Sequence, residues 1–176
     1  YTLVMGETSN LAVNPYLYKS LDFSAVDDLV PVALMGSGPL VLVVRTGSRF
    51  DSLASIIQAG KKSDLFYASS GSGTVGHLVA ESLRDATGIK LQHIPYKGAG
   101  PAMNDLLGGQ VDLYFASLTA SLPQIAAGKI RPLAVSSEKR HAALPQVATL
   151  AELGFPSLTY TAFYGVVAPA RTPEGV

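Results

Sequence analysis

The 176-residue chain contains neither cysteine nor tryptophan. Without thiols it has no thiolate metal site and no disulfide, although that absence does not fix the redox compartment. An excess of either charge is missing too: 13 basic and 13 acidic residues give a formal net charge of zero, and only 15% of the residues are charged. No basic cluster extends beyond a pair such as Lys139-Arg140, so the electrostatic footprint of a nucleic-acid binder is absent and no nucleic-acid partner is expected. The three histidines, His77, His93 and His141, lack metal-ligand spacing; neither a metal nor another cofactor is expected, and each histidine reads as an ordinary helix, strand or loop residue. No leader or membrane span is visible in the sequence, a silence that carries no information here. The chain opens at Tyr1 on an apolar run, as if inside a strand, and so reads as a fragment.

What is present is a core-forming chain, 48% hydrophobic, in which short apolar runs alternate with amphipathic helices. From Leu40 to about Thr159 the order is repeatedly strand then helix, which predicts an α/β domain with a mostly parallel sheet flanked by helices on both faces. Gly36-Ser37-Gly38-Pro39 reads as a break between two short strands, Val30–Met35 and Leu40–Val44. Asn14-Pro15 opens a short helix with Leu17 and Leu21 facing inward, and Thr172-Pro173-Glu174 has the form of another helix start.

The stretch Phe66–Phe115 repeats one pattern: apolar run, glycine-rich polar elbow, amphipathic helix. The first elbow is Ser69-Ser70-Gly71-Ser72-Gly73-Thr74, followed by Val75, Leu78, Val79, Leu83 and Ala86 on one helical face. The second is Tyr96-Lys97-Gly98-Ala99-Gly100-Pro101, with Pro101 suited to a first helical position. The first amides of a helix lack internal partners and carry the positive end of its dipole, so an oxyanion is favoured there without a charged side chain. Glycines admit close approach, and serine or threonine hydroxyls can cap the helix or turn to a ligand. Such turns also occur simply because a strand-to-helix connection needs positive φ and a cap. Repetition, and Lys97 in the second elbow, support a binding reading beside that structural one. Ala116-Ser117-Leu118-Thr119 follows a third strand, Val111–Phe115, so three strand ends converge where ligands of such sheets are held. A β-carbon at Gly73 is expected to block that ligand sterically rather than to strain the backbone.

The runs YASSGSGTVGHLVAESL, HIPYKGAGPAMNDLLGGQVDLYF and ASLPQIAAGKIRPLAVSSEKRHAALPQVATLAELGF resemble the extracytoplasmic solute receptors of the tripartite tricarboxylate transporter system, the Bug or TctC family. The resemblance covers nearly the whole chain. It implies two α/β lobes similar to type II periplasmic binding proteins and a periplasmic, monomeric receptor that passes a small organic carboxylate to a membrane permease. On this pattern residues 1–37 are a remnant of lobe 1, 38–159 a complete lobe 2, and 160–176 the crossing back to lobe 1.

The resemblance implies that Ser69, Ser70, Gly71, Ser72, Gly73 and Thr74, with Lys97, Gly98, Ala99, Gly100 and Pro101, hold one ligand carboxylate through backbone amides and hydroxyls. Ser9 and Asn10 match a loop of the first lobe near the ligand. Phe163 stands where a tryptophan is more usual in the family. Ala116, beside Ser117, stands where many members carry an acid, which favours a plain organic acid over an amino acid. Catalysis is not expected, because the chain has no G-x-S-x-G elbow and no acid/base pair at the strand ends. A cytoplasmic effector-binding domain of a transcription regulator shares the two-lobed architecture and is the competing reading.

Overall fold

The computed structural model describes residues 2–173, and within them the apolar runs form strands with helices between. In chain order these are β1 (Val4–Glu7), a π-turn (Ser9–Val13), α1 (Asn14–Leu17), β2 (Leu29–Arg45), α2 (Leu53–Gly60), β3 (Leu65–Ser69) and α3 (Val75–Thr87). There follow β4 (Leu91–Pro95), α4 (Ala99–Gly108), β5 (Leu113–Ser117), α5 (Leu118–Ala126), β6 (Ile130–Val135), a 3-10 turn (Pro156–Leu158) and β7 (Thr161–Pro169). No described helix is long and apolar enough to cross a membrane. The helix start read at Thr172-Pro173-Glu174 has its acid outside the described residues.

The chain forms two units, one of Tyr1–Ser37 with Ala162–Val176 and one of Gly38–Thr161. In the first, β1 pairs antiparallel with β7, from Val4 opposite Val167 to Glu7 opposite Tyr164, and β7 also flanks β2. Leu17 does not face inward as the sequence suggests: α1 is a single turn and leaves that side chain 45% exposed.

In the second unit the strand order is β6-β2-β5-β3-β4. Strand β3 is parallel to both β4 and β5, whereas β2 runs antiparallel to β5 and β6. The carboxyl ends of β3, β4, β5 and β6 therefore share one edge. Leu40 to Val44 are all buried, as a strand covered on both faces requires. The core joins them to Leu65, Tyr67, Ala68, Leu113 and Phe115 of the sheet, and to Ile56, Val79, Leu83 and Leu106 of the helices. Each such aliphatic side chain contributes about 1.5–3 kcal/mol by leaving water.

The break expected at Gly36–Pro39 does not occur, and β2 runs through it as one 17-residue strand. Neither Gly36 nor Gly38 has positive φ, and a β-carbon on either would meet nothing within 4 Å. Their backbone is thus ordinary extended chain. Pro39 is tolerated because it immediately precedes Leu40, where the pairing with β5 begins.

Local chemistry sets the helix ends. Ser52 and Ser55 form a reciprocal capping box at the start of α2. Gly88 and Gly109 end α3 and α4 in the left-handed conformation, at φ 66° and 74°.

Candidate functional site

The two elbows lie side by side at the shared strand edge. Strands β3 and β4 are in register from Leu65 opposite Leu91 to Ser69 opposite Pro95, and the pairing continues into the loops. The Tyr96 amide donates to the Ser69 carbonyl at 3.0 Å, and the Gly98 amide to that of Ser70 at 3.1 Å. Gly98 holds φ 107° and ψ 173°, a region open essentially to glycine alone, and from it the chain turns into α4.

The first elbow is braced from within and from two rings. Ser69 is fully buried; its hydroxyl accepts the Gly71 amide at 3.2 Å, donates to the Gly71 carbonyl at 3.0 Å and lies 2.6 Å from Nε2 of His93. The Thr74 hydroxyl donates to the Gly71 carbonyl at 2.8 Å, and the Gly73 amide to Nδ1 of His77 at 3.1 Å. The rings of His77 and His93 stack with centroids 4.2 Å apart, and Tyr67 stacks on His93 at 4.9 Å. The Tyr67 hydroxyl donates to Glu81 at 2.6 Å, and Glu81 pairs with Arg84. Burial, then the bond to Glu81, raises the Tyr67 pKa far above its ordinary value, so the phenol stays protonated. Burial holds both histidines below the usual imidazole range, His93 also through the neighbouring His77.

These bonds decide which amides remain for a ligand. Those of Gly71, Gly73, Thr74 and Gly98 are occupied within the protein. The amides of Ser72 and Val75 in one elbow, and of Ala99 and Gly100 in the other, have no hydrogen-bond partner among the described residues. The same holds for the hydroxyls of Ser70, Ser72 and Ser117. Thr74 and Ser72 do not cap α3 as expected; Thr74 occupies the cap position, but its hydroxyl is spent on Gly71. Pro101 is the third residue of α4 rather than the first, because Gly98 turns the chain early; the third position also needs no amide hydrogen. Gly73 has φ 79°, so the backbone itself calls for glycine there, and strain, not only ligand sterics, opposes a side chain.

Ala116 and Ser117 are the last two residues of β5 rather than a following loop. With Ala99, Gly100, Met103, Asn104, Tyr114, Ala120 and Gln124 they line a cavity of about 250 Å³. Lys97 is exposed and makes no ion pair among the described residues. Ser9, Asn10 and Phe163 belong to the other unit: Ser9 is buried, Asn10 accepts the Glu7 amide at 2.8 Å, and the Phe163 amide donates to the Thr8 hydroxyl at 2.8 Å.

Ser69 and His93 form the serine–histidine contact that sequence reasoning did not anticipate, but it is not built for attack. The hydroxyl is inaccessible, and among the described residues no carboxylate holds the other ring nitrogen of His93. No group of three or more metal-ligating side chains occurs among the described residues. Sequence reasoning also missed Gly76 and Asp105. A β-carbon on Gly76 would lie against the Phe115 carbonyl. Asp105, seemingly remote toward the end of α4, accepts the Tyr96 hydroxyl at 2.6 Å and ties the second elbow to its helix; burial and that carboxylate push the Tyr96 pKa up to about 12. The i to i+9 spacing of Tyr96 and Asp105 gave no signal, whereas the histidine three residues after Thr74 sat at a recognised capping position.

The sequence matches, over residues 1–176, the family described as the tripartite tricarboxylate transporter family receptor. It is 38% identical over 175 residues to BugT of Bordetella pertussis, covering 98% of this chain and 54% of that protein. A solved structure of a periplasmic transporter superposes with a TM-score of 0.93 at 39% identity, over 98% of this chain and 59% of that one. Rpa4515 of R. palustris, solved with adipate, gives a TM-score of 0.94 at 35% identity over 99% of this chain and 59% of that one. The chain thus spans about half the length of the curated relatives it matches. With this match along its whole length, the chain belongs to the tripartite tricarboxylate transporter receptor family.

Proposed function

We propose that this chain is the greater part of a periplasmic solute receptor that binds a small organic carboxylate and delivers it to a tripartite tricarboxylate-type membrane permease. The unit of residues 38–161 corresponds to one complete lobe, and the other unit to part of a second. The observation that carries the reading is the coupling of the two elbows through Gly98 and Ser70, beside which the amides of Ser72, Val75, Ala99 and Gly100 have no protein partner among the described residues. Amides so placed favour a carboxylate oxygen without a cationic side chain. The adipate-bound relative supports a dicarboxylate as the class to test first.

Specificity rests on the strand end beyond the elbows. Ala116 is 2% exposed and offers no carboxylate to an ammonium group, so the preferred ligand is a plain organic acid rather than an amino acid. The receptor acts as a monomer, since capture and release require no second copy. A thermal-shift screen of the full-length protein tests the reading: an organic acid present at about a hundred times its Kd adds about 2.7 kcal/mol of stability. Dicarboxylates should raise the melting temperature and their diamides should not. Equal shifts with acid and diamide, or none with any acid, would overturn it.

A further inference from the structure

We propose that His77 is a positioning residue for the first elbow, and that its ring must be uncharged for the elbow to hold a carboxylate, which makes ligand binding proton-dependent. This rests on the reading of that elbow as the carboxylate grip. Nδ1 of His77 accepts the Gly73 amide, so it carries a lone pair and the ring hydrogen resides on Nε2. A second proton on the ring would go to Nδ1 and set two N–H groups against each other. Gly73, at φ 79°, would lose the bond that holds it, one residue from the unpaired amide of Ser72 and two from that of Val75.

His93 behaves differently although it stacks on His77. The Ser69 hydroxyl has a single hydrogen. If that hydrogen goes to the Gly71 carbonyl, Nε2 of His93 is the donor to Ser69, a role it keeps when charged. With the hydroxyl hydrogen so placed, protonation of His93 costs the elbow no hydrogen bond, whereas protonation of His77 costs it one. The titratable and charged groups facing His77 are Tyr67 from β3, His93 from β4, and Glu81 and Arg84 one and two turns along α3. Glu81 favours a charged ring, but it is already engaged by Tyr67 and Arg84. Burial of His77 works with the geometry to keep the ring neutral.

The test follows the Gly73 amide and the His77 ring by NMR in the unliganded full-length protein, from about pH 7.5 to about pH 5, the range in which imidazoles change charge. The Gly73 amide should shift with the midpoint of the His77 ring. In parallel, adipate affinity is measured across the same range for the wild type and for His77→Asn, whose amide oxygen can replace Nδ1 as acceptor but does not titrate. Because both proteins meet the same adipate, its own ionisation cancels in the ratio. That ratio should change about tenfold, the wild type weakening more on acidification. A Gly73 amide indifferent to His77 protonation, or identical affinity profiles for the two proteins, overturns the proposal. If adipate binds neither at any pH, adipate is not the ligand and the acid screen above decides the carboxylate reading, while the amide titration, which requires no variant and no ligand, still decides the positioning role.

Discussion

A β-carbon placed on Gly76 would stand 2.5 Å from the carbonyl oxygen of Phe115. The first turn of α3 therefore rests directly on the backbone of β5, and no flexible side chain is available to give way. Gly76→Ala must displace either the helix start or the strand end, at an expected cost of about 1–3 kcal/mol, as for overpacking elsewhere. Urea denaturation should show a lower midpoint with an unchanged slope. A variant as stable as wild type would mean that the helix start is free to shift.

Gly73 and Gly100 make a contrasting pair. At φ 79°, Gly73→Ala should lower the stability of the unliganded protein by about 1 kcal/mol, because a side chain is disfavoured in the left-handed region whatever occupies the site. Gly100 has no such φ, and a β-carbon there meets nothing within 4 Å. Gly100→Ala should keep the unliganded melting temperature and lose affinity if a carboxylate approaches its amide. Unchanged affinity would remove the second elbow from the site.

Lys97→Ala should weaken carboxylate binding by on the order of 1 kcal/mol or less, as expected of a solvated charge. Calorimetry showing a loss of several kcal/mol would mean that the lysine closes onto the ligand and is desolvated there.

Acidification should destabilise the fold through His77 and His93. Both rings have folded pKa values depressed below the ordinary 6.5, chiefly by burial. Well above that value they are neutral whether folded or unfolded, and they leave stability unchanged. As pH falls through about 6.5, the unfolded chain takes up protons that the folded rings resist, so stability declines until the depressed values are passed. Melting temperature against pH should fall more shallowly in His77→Asn than in the wild type. Parallel profiles would place the acid sensitivity elsewhere.

Much of this was legible in the residues and some was not, for physical reasons. The elbows were readable because a strand, a glycine-rich turn and an amphipathic helix are each local patterns. Gly36–Pro39 misled because glycine and proline both permit extended backbone, and whether they turn depends on the strands alongside. The availability of individual amides was illegible, since the Gly73 amide is taken by a ring four residues on and the Gly98 amide by a carbonyl 28 residues back. Pattern marks the glycine-rich loop; tertiary hydrogen bonds choose which of its amides stay free.

The strand order carries one more consequence. Strands β3 and β5 are paired only at Tyr67 with Leu113 and at Ala68 with Tyr114, and past that point the chain leaves them in opposite directions. From β3 it travels outward to β4; from β5 it travels the other way, toward β6 beyond β2. A parallel sheet opens wherever successive connections diverge in this manner, at a topological switch point. The opening is a property of the route the chain takes. Changes at Ala116 or Ser117 can thus reshape the lining of the cavity beside that point without abolishing the opening, which the connectivity itself provides.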